Sequence, residues 1–293
     1  MYPPAFEYWS PRSLDEALSK LQELGYDGRV LAGGQSLIPM MKLRLATPAN
    51  LVDINNLTDL AYVRADNGHL AIGALARHAD VVDNADVLAI SPTMASAAPW
   101  VADPLVRNRG TVAGSIAHCD PEGDWNSVML AVGASVVATS SSGQRVIPIG
   151  EFVVDFFTNS LTEGEMVTEV RIPRAVGSAG GAYLKLERKI GDYATAAVAT
   201  FLDLASDGTI TNAGIALTAV ASKNLKVTDA EQLLIGQTPS DELFGEAAAL
   251  AAAACDPESD VRGPAEYKRA VINAYTKRGL TQALAQAQGG SSS

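Results

Sequence analysis

The chain has 293 residues and a formal net charge of −11, with 33 Asp and Glu against 22 Lys and Arg, so it has length for two or three domains. The acidic balance argues against a nucleic-acid partner, and no apolar run approaches the roughly 20 residues of a bilayer crossing, so no transmembrane segment is expected. Cys119 and Cys255 are the only cysteines; they suit a reducing compartment and are too few for an all-cysteine iron–sulfur cluster, which takes about four.

The opening Met1-Tyr2-Pro3-Pro4 has neither a basic stretch nor an apolar core and reads as no export signal. Phe6 to Trp9 reads as a short strand. Ser13-Leu14-Asp15-Glu16 has capping-box spacing, and Leu14, Ala17, Leu18, Leu21 and Leu24 fall on one helical face before Gly25. A strand at Arg29–Ala32 then runs into Gly33-Gly34-Gln35-Ser36-Leu37. Two adjacent glycines allow a tight turn and close backbone approach, and consecutive amides with the Ser36 hydroxyl would suit a phosphate. The stretch reads equally as a plain glycine turn between strands. Neither a P-loop pattern nor Gly-x-Gly-x-x-Gly opening a helix is present here.

Strands follow at Asn50–Ile54 and Leu70–Ala74, then a helix from Arg77, and a further helix from Ser91-Pro92 to about Trp100. The second informative stretch runs from Asp103 to Asp124. Gly110, Thr111, Gly114 and Ser115 again set small residues beside hydroxyls, and Asp124 follows as a carboxylate for ribose or ribityl hydroxyls. An ordinary loop with Asp124 capping the next helix is the other reading. Cys119 reads as a reactive thiol or as a small packing residue. The three histidines, His69, His78 and His118, have no metal-ligand spacing, and no metal is expected.

A helix at Trp125–Val132, a hairpin of Ser135–Thr139 with Arg145–Ile149, and a strand at Met166–Ile172 complete the first part. Ala175–Gly181 reads as a linker. Beyond it, Ala182–Lys189, Ala194–Leu204 and Thr209–Val220 read as an antiparallel meander. Helices at Thr228–Ile235, Asp241–Ala254 and Pro264–Gln286 follow, and the order argues for an α+β fold. The closing Gly-Gly-Ser-Ser-Ser reads as a flexible tail, natural or engineered.

Ala32-Gly33-Gly34-Gln35-Ser36-Leu37-Ile38-Pro39 resembles the first FAD-binding segment of the molybdenum hydroxylase flavoproteins, and Gly110-Thr111-Val112-Ala113-Gly114-Ser115 resembles their second. Arg188 to Ala194 and Gly263 to Tyr267 resemble parts of their C-terminal domain. The resemblance covers nearly the whole chain and is nearest to flavin subunits of the aerobic carbon monoxide dehydrogenase type. It implies a two-subdomain FAD-binding region of the PCMH, vanillyl-alcohol-oxidase-like kind at 1–175, divided at about 55, with a three-stranded antiparallel sheet and helical bundle at 176–288 and the tail at 289–293.

The same resemblance implies FAD on this chain. It places a molybdenum cofactor in a large partner subunit and [2Fe–2S] clusters in a small one, in a dimer of heterotrimers that passes electrons to a quinone or other respiratory acceptor. The location implied is cytoplasmic, with association at the inner face of the membrane through partners left open. Ala32, Gly33, Gly34, Gln35, Ser36 and Leu37 would wrap the FAD pyrophosphate. Thr111, Gly114 and Ser115 would complete the cradle, and Asp124 would hold ribityl or ribose hydroxyls. Lys185 and Tyr193 would lie near the flavin, although by pattern alone each is an ordinary strand residue. Ala113 stands where the family often has glycine, and its methyl group is expected to crowd a phosphate. No residue of this chain is expected to be catalytic; the alternatives are the flavin subunit of a xanthine, nicotinate or aldehyde enzyme, or a stand-alone FAD oxidoreductase.

Overall fold

The computed structural model describes residues 2–289, so the tail expected at 289–293 lies, apart from Gly289, outside the described residues. The chain opens with β1 (Glu7–Trp9), α1 (Leu14–Leu24), β2 (Gly28–Leu31), α2 (Leu37–Lys42) and β3 (Asn50–Asp53). The three strands form a parallel sheet in the order β1-β3-β2. Ser13 Oγ accepts the Glu16 amide at 3.2 Å, while the Glu16 carboxylate accepts the amide of Arg12 rather than that of Ser13. Ala17, Leu18 and Leu21 are buried on the inward face of α1, as their spacing requires.

Next come β4 (Val63–Asp66), β5 (His69–Gly73) and a run of short helices: α3 (His78–Val81), α4 (Ala85–Ile90), α5 (Pro92–Ala97), α6 (Pro104–Arg107), α7 (Val112–His118) and α8 (Asp124–Ala131). Then follow β6 (Ser135–Ser140), β7 (Gly143–Pro148), α9 (Ile149–Phe152), β8 (Val153–Asp155), β9 (Thr158–Asn159) and β10 (Met166–Pro173). Five of these strands make an antiparallel sheet in the order β4-β5-β10-β6-β7. The edge strand β4 escapes sequence reading because Arg64, Ala65 and Asp66 are exposed and carry no apolar alternation. The helix expected from Arg77 ends after one turn, and Asp83 follows in the left-handed region with φ 57°. Ser91 precedes Pro92 as expected but its side chain does not cap α5; its Oγ is buried without a partner among the described residues.

The last part comprises β11 (Ser178–Leu186), β12 (Ala196–Leu204), β13 (Ile210–Thr218), β14 (Leu225–Lys226), α10 (Thr228–Leu234), α11 (Asp241–Ala254) and α12 (Ala265–Ala287). The meander β11-β12-β13 is antiparallel, and the two-residue β14 adds a fourth strand at its edge. Every residue of β12 is buried because both of its faces are covered. Ala197, Ala199 and Phe201 join the core of the preceding part, while Ala196, Val198 and Leu202 join a second core against α10, α11 and α12.

The Gly/Ala-rich stretch at 175–181 is not simply a linker, since β11 already starts at Ser178. The Asp203 carboxylate accepts the amides of Val176 and Gly177 at 3.0 Å each and fixes the entry. Gly180 lies under α12, where an added Cβ would overlap the Ala283 carbonyl and stand 2.8 Å from the Ala287 nitrogen. Small residues are needed there for helix and strand to touch. Gly180→Ala is therefore expected to lower stability by about 1–3 kcal/mol through overpacking, measured by urea unfolding of the flavin-free chain; an unchanged midpoint would refute that packing argument.

Candidate cofactor site

A cleft of about 830 Å³ runs between the first sheet, the α7–α8 region and the loop before β12. That volume lies in the range of small-molecule and cofactor sites, roughly 300–1,000 Å³. The residues after β2 form its first wall. Gly34 has φ +74°, the Ile38 amide closes back on the Gly34 carbonyl at 3.0 Å, and α2 starts at Leu37. Ser36 stands at the N-cap of α2 without spending its hydroxyl there. Gln35 is exposed, with its amide 3.5 Å from the Gly33 carbonyl.

Two stretches that sequence reading treats separately meet here. A Cβ on Gly33 would overlap the Arg109 carbonyl and lie 2.7 Å from Gly110 Cα. Residues that sequence reading did not single out fasten this contact. Asn55 Nδ2 donates to the Ala32 carbonyl at 2.8 Å, and Arg77 donates to Asn55 Oδ1 at 2.7 Å and to the Arg109 carbonyl. The His78 amide donates to the Gly110 carbonyl at 3.0 Å. No local pattern marks Asn55, Arg77 or Arg109, because their role is set by contacts across 22 or more residues.

The second wall is the N-terminus of α7. Thr111 Oγ1 accepts the Gly114 amide at 3.1 Å, the Ser115 amide bonds to the Thr111 carbonyl and the Val112 amide to the Ala76 carbonyl. These amides are thus occupied within the protein, and what this wall offers the cleft is the exposed Gly114 surface and the side chains of Thr111 and Ser115. A Cβ on Gly114 would lie 2.6 Å from Thr111 Oγ1, so glycine keeps that cap open. Ala113 is 2 % exposed and packs in the hydrophobic core, leaving Gly114 at the surface of the turn. The crowding expected from its methyl group has that much less force.

At the other end Asp124 is the first residue of α8; the cap is Gly123, not Asp124. Its Oδ1 accepts from Tyr183 Oη at 2.6 Å and its Oδ2 from Lys185 Nζ at 3.1 Å. Burial raises the Asp124 carboxyl above its ordinary range, and Lys185 and Tyr183 pull it back. Burial first, then Asp124, pushes the Tyr183 phenol well up, so it stays a donor. Lys185, expected near the flavin, is not on the cleft wall. Its side chain is 1 % exposed, bonds also to the Trp100 carbonyl at 3.1 Å and lies 3.5 Å from Glu187, behind Asp124 rather than on the cleft wall.

Tyr193 does line the cleft and is half exposed. Its loop is docked by Gly191, where an added Cβ would lie 3.1 Å from Ala102, and by Arg262, which donates to the Ala194 carbonyl at 3.2 Å and to Glu122. His78 also lines the cleft, 5 % exposed, and burial lowers its pKa to about 4. Cys119 is 1 % exposed and burial pushes its thiol up to about 12, which makes it a packing residue.

Glycine turns on two facing loops, hydroxyls beside them and a carboxylate further along define a nucleotide-cofactor cleft, and comparison with known proteins agrees. Residues 4–175 match the FAD binding domain in molybdopterin dehydrogenase, and residues 181–283 match the CO dehydrogenase flavoprotein C-terminal domain. The carbon monoxide dehydrogenase medium chain of Hydrogenophaga pseudoflava is 41% identical over 98% of this chain and 99% of its own. The 6-hydroxypseudooxynicotine dehydrogenase complex subunit alpha of Paenarthrobacter nicotinovorans is 37% identical over 98% of this chain and 97% of its own. Among solved structures, carbon monoxide dehydrogenase from Hydrogenophaga pseudoflava lacking the Mo-pyranopterin moiety of its molybdenum cofactor superimposes with a TM-score of 0.93 at 42% identity, covering 98% of this chain and 99% of that one. The chain belongs to the FAD-binding flavoprotein family of the molybdopterin dehydrogenases. It is an oxidoreductase flavoprotein whose cofactor is FAD.

Two outcomes are expected from the site's electrostatics. Lys185→Met leaves Asp124 buried without its cation and costs about 3–5 kcal/mol of stability, and adding Asp124→Asn restores much of the loss; additive losses in urea unfolding would show that the pair is not coupled. His78 is charged more readily unfolded, near 6.5, than folded, near 4. The unfolded chain therefore takes up the proton first, and stability present above about pH 6.5 is lost as pH falls towards 4, by an amount on the order of 3 kcal/mol. His78→Gln is expected to flatten that part of the stability profile; an identical acid slope in both proteins would refute the assignment.

Proposed function

We propose that the chain is the FAD-bearing electron-transfer subunit of a molybdenum hydroxylase complex of the carbon monoxide dehydrogenase type. The observation that carries this reading is the end-to-end match to a carbon monoxide dehydrogenase medium chain, joined to a cleft with both glycine loops in place. By the same reading a large subunit holds the molybdenum cofactor and oxidises the substrate. A small subunit holds [2Fe–2S] clusters and hands electrons to this chain, which passes them to a quinone or other respiratory acceptor. The assembly is a dimer of heterotrimers. Among the described residues no helix is long and apolar enough to cross a membrane; in this reading the chain is cytoplasmic and any approach to the membrane runs through its partners.

FAD supplies the redox chemistry, accepting electrons singly and releasing them as a pair, and the protein binds, orients and shields it. The turn at Ala32–Leu37 with Gly33 and Gly34 takes the diphosphate, with Thr111, Gly114 and Ser115 closing the facing side. Asp124 takes a ribityl or ribose hydroxyl; each of its oxygens has one internal donor and lone pairs to spare. Lys185 and Tyr183 hold that carboxylate in place and offset part of the effect of burial, which favours its protonated form. Tyr193, which lines the cleft, would lie near the flavin ring and control access to it. No side chain of this chain acts as a nucleophile or general base.

A second reading has its own observation. The chain is nearly as similar to a 6-hydroxypseudooxynicotine dehydrogenase subunit, at 37% identity, as to the carbon monoxide dehydrogenase chain, at 41%. The flavin subunit does not touch the molybdenum substrate, so the two readings share everything described above. The visible spectrum of the complex from its native host separates them. Flavin and iron–sulfur bands that bleach under anaerobic carbon monoxide are the expected result. Bleaching by an N-heterocycle or aldehyde and not by carbon monoxide would move the complex to the second reading, and a chain that binds no FAD would overturn both.

A further inference from the structure

The strongest feature that the cofactor reading leaves unused is His78. Its side chain is buried, yet it borders the cleft. Trp125 is fully buried on α8, and its indole Nε1 donates to His78 Nδ1 at 3.0 Å. An indole N–H is a donor only, so Nδ1 must be the bare nitrogen and Nε2 must carry the hydrogen. The tautomer is thereby fixed by a neighbour, as the second nitrogen of a histidine commonly is.

Nε2 has no hydrogen-bond partner among the described residues, yet it is not sealed off as a buried unsatisfied atom. It stands directly behind Gly110, where an added Cβ would come within 2.7 Å of Nε2 and 2.8 Å of Cδ2. Any side chain at 110 would cover the edge of the imidazole. Gly110 thus has a reason beyond turn geometry: its φ is not among the positive ones, so the glycine is needed for space. The neighbouring backbone is held rigid, because the His78 amide bonds to the Gly110 carbonyl and Arg77 pairs with Thr111 across a β-bridge. A ligand acceptor in the cleft would give this donor a fixed partner.

We infer that His78 is a cofactor-binding residue: as a neutral imidazole locked by Trp125, it donates its Nε2–H past Gly110 to a diphosphate oxygen of the bound dinucleotide. The inference rests on the FAD reading of the cleft. The diphosphate is the acceptor because Nε2 lies against Gly110, the residue against which the Gly33 turn packs and which precedes the Thr111 cap. The neutral form suits the place. Burial first, then the positive charges of Arg107 and Arg77 beside the ring, disfavour a protonated imidazole. The indole also gives the ring a rigid seat, so little side-chain freedom remains to be lost on binding.

The test uses the full-length chain stripped of flavin and three probes, FAD, ADP and riboflavin, titrated onto wild type, His78→Phe and His78→Gln. His78→Phe keeps the bulk and removes the donor; His78→Gln offers an amide donor in its stead. The expected result is a loss of roughly tenfold or more in FAD affinity for His78→Phe. ADP should show the same loss, riboflavin should bind as before, and His78→Gln should recover part of the loss. Thermal unfolding of the flavin-free proteins reads folding independently. Wild-type FAD affinity in His78→Phe, with or without a lower melting temperature, would overturn the inference and leave His78 a packing residue. An equal loss for riboflavin would overturn the diphosphate assignment. A wild-type chain that binds neither FAD nor ADP would sink the FAD reading itself, an outcome distinct from either of these. If His78→Phe does not fold, His78→Gln is measured alone; full wild-type affinity for every probe together with a bare Nε2 in its ¹⁵N histidine signals in the wild-type holo-chain would refute the donor role.

Discussion

The approach of Gly33 to the Arg109–Gly110 backbone is the constraint on which the rest of the molecule depends. Position 33 tolerates no Cβ at the contact, so the first sheet and the α7 region can meet there only because Gly33 is bare. Once they meet, Arg77 and Asn55 bridge the Ala32 and Arg109 carbonyls, which have no strand neighbour to serve them. The contact therefore borders the cleft and is in turn fixed by these hydrogen bonds, so this wall is braced by the protein's own side chains. Preformed sites lose less on binding than sites that must be ordered.

A second constraint acts at the far end. Tyr183 and Lys185 come from β11, Asp124 from α8, and all three side chains are almost wholly withdrawn from water. Packing alone would hold these elements together more cheaply, since a buried ion pair rarely gains much over apolar residues. The pair gives direction instead. It turns one carboxylate towards the cleft and holds it there from two sides, which an apolar contact cannot do. The buried hydroxyls of Ser127 and Thr218, 2.5 Å apart, and the amide of Asn224 continue this polar seam along the same junction.

Much of the fold was legible because it follows local rules. The face of α1, the glycine turn after β2, the meander and the two long C-terminal helices all carry their periods or caps within one window of sequence. The misses share a physical cause. The strand β4 is an exposed edge without alternation, the start of β11 hides in Gly180 and Gly181, and those glycines serve contact with α12 and Thr93 rather than flexibility. The cleft residues Ala32 to Leu37, Thr111, Gly114, Ser115, Asp124 and Tyr193 were nameable by resemblance and do line one cleft. Lys185 was nameable too, but its place behind Asp124 was not, because strand position says nothing of what lies across the junction. Asn55, Arg77 and His78 were invisible for the same reason.

Tyr193 shows how the two parts of the chain complete one site. It is carried by the loop between β11 and β12, yet it reaches the cleft only because Gly191 lies against Ala102 and Arg262 ties that loop to Glu122 on the preceding part. Arg262 itself precedes α12, so the side chain that steadies the loop is set by the helical bundle at the far end of the sequence. A tyrosine on a loop moves more readily than one on a strand, and half its surface is open. The half-exposed ring of Tyr193 thus borders the cleft on a loop fixed at its base by Gly191 and Arg262. The two ends of the cleft differ in what each residue type does there: backbone packs on backbone at the Gly33 end, and one aromatic side chain borders the cleft at the other.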